Sequence, residues 1–519
     1  MLPMTIAWIA LPFFIGFSIY LFPKWSRHLA LAVSLVSLAY SIFCLVDPVG
    51  QTLTLLDSFG VTLMVDSLSG FFILTNALVT LAVIIYCWHQ GKSAFFYTQM
   101  IILHGSVNSA FICADFISLY VALEVISIAA FLLIAYPRTN RSIWVGLRYL
   151  FVSNTAMLFY LLGAVLVYQA NQSFAFVGLG TAPPEAIALI FLGLLTKGGI
   201  FVSGLWLPLT HSESETPVSA LLSGAVIKAG IFPLVRCALM LPEIDPIVRI
   251  FGAATALLGV GYAVFEKDTK RMLAFHTVSQ LGFVLAAPEV GGFYALTHGL
   301  VKAALFIGAG NLPSRNFKEL KHTAIATPIW VALAIASFSI SGFPLLSGFG
   351  AKVLTMKNLL PWQVIAMNVA ALGTAVSFAK FIFLPHTAWA GALGAGTGQG
   401  SAPTLGISAD KANNGQAGYP AMAAAGVAGK PAIALVKPGF WPAMALLLGG
   451  LVAANGVYYD AYSWGNVVKP LATIALGWLA YWVIFRSTPV KLPRLLEQFD
   501  HLIGVMSLTL LTLFWMVLA

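Results

Sequence analysis

The chain has 519 residues, of which 60% are hydrophobic and only 9% are charged, and its formal net charge is +9. Soluble domains carry roughly a quarter charged residues, so this composition excludes a soluble enzyme, a nucleic-acid-binding protein and a disulfide scaffold as descriptions of the whole chain. It predicts an all-α polytopic membrane protein surrounded by a lipid bilayer. The excess of Lys and Arg then indicates cytoplasmic loops rather than a nucleic-acid partner.

Apolar stretches long enough to cross a bilayer, about 20 residues each, recur along the whole chain. They predict about 14–16 transmembrane helices. Sixteen candidate spans lie at residues 3–22, 29–46, 67–87, 95–113, 117–136, 143–168, 186–206, 217–240, 247–265, 272–287, 290–311, 325–358 (long and interrupted), 362–384, 439–457, 467–485 and 501–519.

The charges of the connections between these spans alternate. Odd-numbered connections are basic, with Lys24, Arg27, Lys92, Arg138, Arg141, Lys267, Lys270, Arg271, Arg315, Lys318, Lys321, Arg486, Lys491 and Arg494. Even-numbered ones are acidic or uncharged, with Asp47, Asp57, Asp66, Asp115 and Glu289. The positive-inside rule therefore predicts cytoplasmic odd connections and both termini outside. Glu213 and Glu215, in an odd connection, break the pattern.

Composition also suggests a division of the chain. We predict N-terminal helices over 1–113, a core over 114–385, a flexible Gly- and Ala-rich loop over 386–438 and C-terminal helices over 439–519. The most biased part of the loop, 390–436, has no periodic apolar face and is assigned no chemistry.

Several ionisable residues fall inside the predicted spans. They are Glu124, Arg148, Lys197, Lys228, Arg236, His298, Lys302, Lys352 and Lys380, with His104 and His276 as weaker members. Each mid-helix Lys costs about 3 kcal/mol on insertion scales, so such groups normally face a bundle interior and mark ion or proton pathways. Arg148, Arg236 and Lys380 could equally snorkel from helix ends, whereas Glu124, Lys197 and Lys228 lie deep within apolar helices.

Two of the helices that carry these charges are interrupted. In LLTKGGIFVSGLWLP, Gly198 and Gly199 follow Lys197 directly and Pro208 comes soon after, and in SGFPLLSGFGAK, Pro344 and Gly348 precede Lys352. Paired interruptions of this kind are the best sequence indication of a transport site. The second comes five spans after the first, an odd number, so we predict two inverted five-helix units at about 95–240 and 247–385.

Ionisable side chains in a row can pass protons, because burial disfavours a charged Lys and a nearby carboxylate favours it. We predict a relay across the membrane plane from Glu124 to Lys197, Lys228, His298 and Lys352, with His276, Lys302 and Lys380 as secondary members. The sequence predicts no cofactor and no metal site, since the four cysteines, Cys44, Cys87, Cys113 and Cys237, form no CxxC motif.

Four stretches carry a resemblance to a known family. They are LYVALEVISIAAFLLIAY, KGGIFVSGLWLPLTHSESETPVSALLSGAVIKAGIFPLVR, KRMLAFHTVSQLGFVLAA with FYALTHGLVKAALFIGAGNL, and SGFPLLSGFGAK. Over residues 60–385 the chain resembles the antiporter-like membrane subunits of respiratory complex I and, equally, the large subunits of Mrp-type sodium/proton antiporters, particularly the D-type one. Residues 390–436 and the helices after them are not part of that common core.

The resemblance implies roles for individual positions. Glu124 stands where the family has the carboxylate that pairs with the broken-helix Lys, here Lys197. Lys228 and His298 stand at the connecting Lys and the central His, and Lys352 at the terminal group. Gln280 occupies a position where some members carry a further His, so a relay there would use water or His276. The resemblance also implies that the protein works only together with other membrane subunits.

The leading hypothesis is a proton-translocating subunit of a multisubunit Na⁺ or K⁺/proton antiporter in a bacterial inner membrane. One alternative is a proton-pumping subunit of a complex I-like or hydrogenase-like redox assembly, and another is the membrane half of an inorganic-carbon uptake system. A structural scaffold with remnant charges is the alternative from a different class. The coupling ion, the direction of transport and the parent complex stay open at this stage.

Overall fold

The computed structural model describes residues 2–46, 50–56, 60–387, 437–458, 461–487, 494 and 497–518. These residues form helices and one two-stranded sheet. The predicted loop at 390–436 lies outside the described residues, as do Asp47, Asp57 and Lys491.

The N-terminal part contains six helices and the sheet, between α2 and α3. The elements are α1 (Leu2–Leu21), α2 (Ser26–Val46), β1 (Gln51–Leu56), β2 (Gly60–Val65), α3 (Ser67–Cys87), α4 (Ala94–Ala110), α5 (Phe116–Ile134) and α6 (Asn140–Asn171). The middle part contains α7 (Pro184–Lys197), α8 (Leu207–Glu213), α9 (Thr216–Leu221), α10 (Lys228–Met240), α11 (Asp245–Phe265), α12 (Thr269–Ala286) and α13 (Gly291–Ala309). The remainder contains α14 (Phe317–Leu320), α15 (Thr327–Ser341), α16 (Ser347–Lys357), α17 (Gln363–Ile382), α18 (Phe440–Val457), α19 (Trp464–Ser487) and α20 (Phe499–Leu518).

In the described residues, eleven helical segments are long and apolar enough to cross a membrane, or twelve if the bent pair formed by α7 and residues 202–213 is one span. The other four predicted spans fall on helices that are shorter or more polar, namely α4, α12, the α15–α16 pair and α18. Each of the sixteen predicted spans therefore coincides with a helix or a helix pair. The predicted all-α polytopic membrane fold with broken helices is confirmed. The domain boundaries and the two inverted units stay predictions.

The deepest part of the molecule lies around α12 and α13, in which every residue is buried. The outer helices are far more exposed. In α19 and α20, for example, less than a third of the apolar stretch that could cross the membrane is buried. Charged groups on the central helices are thus shielded from lipid by a full layer of protein, which is the placement expected for polar groups inside a membrane.

A β-hairpin at one membrane face was not predicted. Strands β1 and β2 pair antiparallel, with Leu53 opposite Leu63, and β2 continues onto the segment before α5, where the Ala114 amide donates to the Thr62 carbonyl at 2.8 Å. Asp115 accepts from the amides of both Thr62 and Ser118, each at 2.7 Å. The hairpin thus rests on the capped start of α5.

The opposite face explains the two glutamates that break the charge alternation. Glu215 pairs with Lys92 at 2.7 Å, and Glu213 pairs with Arg141 at 3.3 Å and with Arg315 at 3.7 Å. All three basic partners belong to odd-numbered connections. The acidic pair is therefore neutralised by its neighbours on the face that the sequence assigns to the cytoplasm.

Candidate functional site

The first broken helix ends at Lys197, whose ammonium is held by neutral oxygens. It donates to the Leu123 carbonyl at 2.9 Å, to Ser153 Oγ at 2.6 Å and to Ser127 Oγ, and the residue is only 6% exposed. Three acceptors from α5 and α6 satisfy the three N–H donors of an ammonium. This arrangement fixes the position of Lys197 without a direct contact to a carboxylate.

Glu124, the predicted partner of Lys197, lies one residue after Leu123 but faces a different space. Its half-buried side chain lines an open cleft of about 750 Å³ together with Tyr120, Arg148 and Asn154. Its Oε1 has no hydrogen-bond partner among the described residues. Glu124 and Lys197 are electrostatic neighbours. The charge of the carboxylate in the cleft therefore acts on the buried ammonium without a direct contact.

The interruption after Lys197 has a defined backbone geometry. Gly199 has φ +67°, a conformation that glycine adopts without strain, and the chain bends by 42° between α7 and residues 202–213. The Thr196 carbonyl accepts from Trp206 Nε1 at 2.8 Å and from the Gly199 amide at 3.2 Å. Gly198 caps α7, whereas Pro208 begins α8, where proline is well tolerated.

Lys228 is fully buried and follows a π turn over Leu222–Val226. In a π turn, backbone bonds run from i to i+5, and here Ile227 N donates to Leu222 O at 3.0 Å. Lys228 Nζ donates to Gly224 O at 2.5 Å and Ser223 O at 3.3 Å. The wider turn therefore supplies the only acceptors that the described structure offers this ammonium.

His298 lies at the centre of the molecule on α13. It is 2% exposed, and neither ring nitrogen has a hydrogen-bond partner among the described residues. Its electrostatic neighbours are Lys228, Lys302 and His276, and Lys302 Nζ donates to the Leu273 carbonyl at 2.7 Å. Buried polar groups are nearly always hydrogen-bonded, so an unbonded imidazole between ammonium groups fits a role in proton transfer better than one in packing.

Two further polar residues, His276 and Gln280, lie on α12 near α17. His276 is fully buried, its ring centroid lies 4.6 Å from that of Phe378, and its ring nitrogens are likewise unbonded in the described part of the chain. Gln280 accepts from Tyr294 Oη at 2.8 Å. The position where the resemblance implies a further His in some family members is thus polar here but has no titratable group.

Lys352 occupies the second broken helix. The break between α15 and α16 contains Pro344, Gly342 with φ +86° and Leu345 with φ +83°. Lys352 is 6% exposed, its Nζ lies 5.5 Å from the centroid of the Phe283 ring, and no hydrogen bond to that Nζ exists within the described ranges. It lines a cavity of about 230 Å³.

Gly348 does not break the helix but lets α16 pack against α15, because a Cβ built on it would lie 1.9 Å from the Ser339 carbonyl oxygen. We expect Gly348→Ala to destabilise the protein by about 1–3 kcal/mol, the range for overpacking, and to displace Lys352. Gly350→Ala is the matched control, since its Cβ would have no neighbour nearer than 3.6 Å. Thermal unfolding of both purified variants tests this, and equal melting temperatures would contradict it.

Four further ionisable candidates have structural partners. His104 bonds to Thr80 at 3.1 Å and to Ser37 at 2.9 Å in a buried network, and Arg236 forms a two-pronged ion pair with Asp66. The other two meet backbone carbonyls at helix ends. Lys380 donates to Ala263 O at 3.1 Å and Glu266 O at 2.8 Å after α11, and Arg148 donates to Glu497 O before α20.

His211 is a candidate that the sequence analysis missed. It lies on α8 and is 1% exposed, and its ring nitrogens lie near the backbone of Leu207 and Leu222 without a well-aligned hydrogen bond among the described residues. With Lys197 it lines a small cavity of about 10 Å³, room for at most one water, and Lys302 and Lys228 are its electrostatic neighbours. The sequence signal for His211 is its place in LPLTHSESETP, directly after the first broken helix. The sequence analysis treats that segment as a connection between spans and therefore assigns His211 no role.

No cluster of three or more His, Cys, Asp or Glu side chains suited to a metal occurs in the part of the chain that the structure describes. The described ionisable groups instead occur as neighbours in smaller sets: Glu124 with Lys197, Lys197 with His211 in the small cavity, His211 with Lys228 and Lys302, and His276 with Lys302 and Lys352.

Comparison with known proteins gives consistent matches. Residues 113–377 match the family profile described as NADH:quinone oxidoreductase/Mrp antiporter, TM. The D-type subunit of the Na(+)/H(+) antiporter of Alkalihalophilus pseudofirmus is 26% identical over 73% of this chain and 86% of its own length. The N-type subunit of the NADH-quinone oxidoreductase of Desulforudis audaxviator is 30% identical over 62% and 72%. A component of the Mrp complex from Dietzia sp. DQ12-45-1b shares the fold, with a TM-score of 0.68, 20% identity and coverage of 96% and 98%.

Proposed function

Because the chain belongs to the NADH:quinone oxidoreductase/Mrp antiporter transmembrane family, we propose that it is a proton-translocating subunit of a multisubunit Na⁺ or K⁺/proton antiporter. One observation carries this proposal. A row of ionisable groups, half-buried at Glu124 and buried at Lys197, His211, Lys228, His298 and Lys352, has a cleft at its first member and a cavity at its last.

Protons would reach the row at Glu124, whose carboxylate faces the cleft. A proton on Glu124 removes the negative charge near Lys197, and this weakens the preference of Lys197 for its charged form. Lys197 can then pass its proton through the small cavity toward His211. The serine oxygens around its ammonium keep the side chain beside that cavity.

Repulsion among the central charged groups couples the arrival of one proton to the departure of another. Two unit charges 4 Å apart repel by about 4 kcal/mol at an effective dielectric constant of 20. Lys228, Lys302 and His298 are electrostatic neighbours, so a proton that arrives on one of them favours departure from another. The proton would leave through Lys352 and its cavity.

The exposed outer surface supports a place among other membrane subunits and lipid. Val121 on α5 and Leu158 on α6, for example, are 57% and 60% exposed beside the Glu124 cleft. In a bilayer such side chains face acyl chains or a neighbouring subunit. We propose the bacterial plasma membrane as the location and a cation exchanged for protons as the substrate.

The second candidate is a proton-pumping subunit of a redox-driven, complex I-like assembly. The similarity to an N-type subunit of NADH-quinone oxidoreductase favours it. The same row of residues would serve there, with conformational energy supplied by redox partners instead of a cation gradient.

The test uses everted vesicles that contain the intact native complex, with ΔpH followed by a fluorescent dye. Na⁺, K⁺, bicarbonate and NADH are added separately, and Lys197→Ala is compared with the exposed-residue variant Lys318→Ala. Alkalinisation of the lumen on adding Na⁺ or K⁺ to energised vesicles, lost only in Lys197→Ala, is the expected result. Acidification driven by NADH and insensitive to cations would overturn the antiporter proposal in favour of the redox pump, and a response to bicarbonate alone would favour carbon uptake.

His211 provides a more specific test of the row. We expect His211→Ala to reduce the transport rate at least tenfold, because Lys197 and Lys228 would lose a titratable group that neighbours both, whereas His322→Ala, at an exposed position, should leave it unchanged. The measurement is the initial rate of dye response at matched complex content. Equal rates in the two variants would remove His211 from the pathway.

A further inference from the structure

The cavity beside Lys352 is lined by an unusual set of charges. Its polar lining consists of Ser341, Lys352, Lys357, Asn368, Asn466, Lys469 and Thr473. Three of these side chains are Lys and none of the described lining residues is Asp or Glu. Among its described lining residues, the cavity therefore concentrates positive charge with no carboxylate to balance it.

None of the three ammonium groups is compensated within the described ranges. Lys352 is buried and its Nζ has no hydrogen-bond partner. Lys357 and Lys469 are exposed at the rim, and the ion pairs of the described residues do not include them. An unpaired buried charge is expensive, and a charged partner recovers part of that cost.

The position and size of the cavity restrict what can balance these charges. It lies between the last turn of α16, the start of α17 and the start of α19, at the face that the charge pattern places outside the cytoplasm. Its volume of about 230 Å³ equals roughly seven or eight waters at about 30 Å³ each. A phosphate-sized group with a few waters fits this space.

We propose that this cavity is a binding site for a phosphate-type oxyanion, provided either by the headgroup of an anionic phospholipid or by a free anion. Lysine binds phosphate as a point charge. The apolar side of the cavity, formed by Val353, Met356, Leu359 and Val364, suits the glycerol end of a lipid. The bound anion supplies the counter-charge for Lys352, and the site does not depend on which cation or redox partner drives the complex.

The test measures binding to the intact purified complex in two kinds of nanodisc. In discs of phosphatidylcholine alone, the binding of radiolabelled inorganic phosphate is measured by equilibrium dialysis. In discs that also contain phosphatidylglycerol, native mass spectrometry counts retained phosphatidylglycerol and dialysis is repeated. The variants are Lys357→Ala/Lys469→Ala, the charge-conserving Lys357→Arg/Lys469→Arg, and Lys318→Ala, which removes an exposed charge elsewhere.

We expect the double Ala variant to weaken binding at least tenfold, and the Arg and Lys318→Ala variants to bind like the wild type. Retained phosphatidylglycerol that excludes phosphate identifies the lipid as the source, and phosphate binding that persists in both discs identifies the free anion. Absence of both ligands from the wild-type complex, or binding that the double Ala variant leaves unchanged, would overturn the proposal. Melting temperatures of the variants confirm that all of them are folded.

Discussion

Lys228→Met is expected to abolish proton translocation while leaving the complex about as stable as the wild type. Lys228 is fully buried and donates only to the Ser223 and Gly224 carbonyls of the π turn. A mid-membrane Lys costs about 3 kcal/mol on insertion scales, and methionine fills a similar volume without that cost. The carbonyls left unsatisfied offset part of the gain, at about 1–3 kcal/mol.

The two measurements separate function from packing. Transport in everted vesicles should fall below a tenth of the wild-type rate, since Lys302, whose ammonium donates to the Leu273 carbonyl, would be the one Lys left among the described residues as an electrostatic neighbour of both His211 and His298. The melting temperature of the purified complex should move by only a few degrees, in either direction. Lys318→Met, at an exposed position, serves as the control for both. Transport at the wild-type rate in Lys228→Met would show that protons bypass this position.

Arg236→Met is expected to lower stability strongly, by about 3 kcal/mol, because loss of one partner from a buried ion pair leaves the other charge uncompensated. Arg236 is 4% exposed and holds both oxygens of Asp66, the residue that caps α3. Arg141→Met is the matched comparison. In the pair that Arg141 forms with Glu213, the arginine side chain is 58% exposed, and exposed ion pairs contribute about 0–1 kcal/mol to stability.

A double-mutant cycle with Asp66→Asn isolates the pair, because asparagine can still cap α3. The double variant should be less destabilised than the sum of the single variants. Additive effects would show that Arg236 stabilises the protein by some other contact.

The same pair predicts a dependence on pH. Burial would raise the pKa of Asp66, but the hydrogen bond and charge of Arg236 and the Ser69 amide outweigh it and hold that pKa below its usual range. A lowered folded-state pKa contributes stability that is complete above the usual value near 4 and is lost as pH falls through the lowered value. Thermal unfolding should therefore show a smaller acid sensitivity in Asp66→Asn than in the wild type.

The spans and the two interruptions could be predicted from the sequence because each depends on local composition. Twenty apolar residues suffice to indicate a span, and the glycines after Lys197 indicate the break. The hairpin was missed because its strands are six residues each and lie between spans that dominate the hydropathy signal. Its stabilising partners, the segment before α5 and the Asp115 side chain, are about 50 residues away.

In the candidate site, too, contacts between distant parts of the chain could not be predicted from local composition. Ionisable residues in apolar helices are visible in the sequence, so most members of the proposed row could be named from it, and their role in proton transfer stays a prediction. Their partners could not be named, because Ser127 and Ser153, which bind Lys197 in place of Glu124, come from two different helices. Lys380 illustrates the alternative that stayed open, since its long side chain reaches carbonyls at the end of α11. Only the packing of helices distinguishes such a capping lysine from one like Lys352.

The hairpin has a consequence for how the protein opens locally. Through Asp66 and Arg236 it ties the start of α3 to α10, and through Asp115 it ties the start of α5 to β2. The segment before α5 also bonds to the chain after α6, where Phe176 N donates to Ala114 O at 3.0 Å. We expect the amides of such a set to exchange with solvent as one cooperative unit. Local opening at this face should therefore involve the starts of α3 and α5 together with α10, rather than any one of them alone.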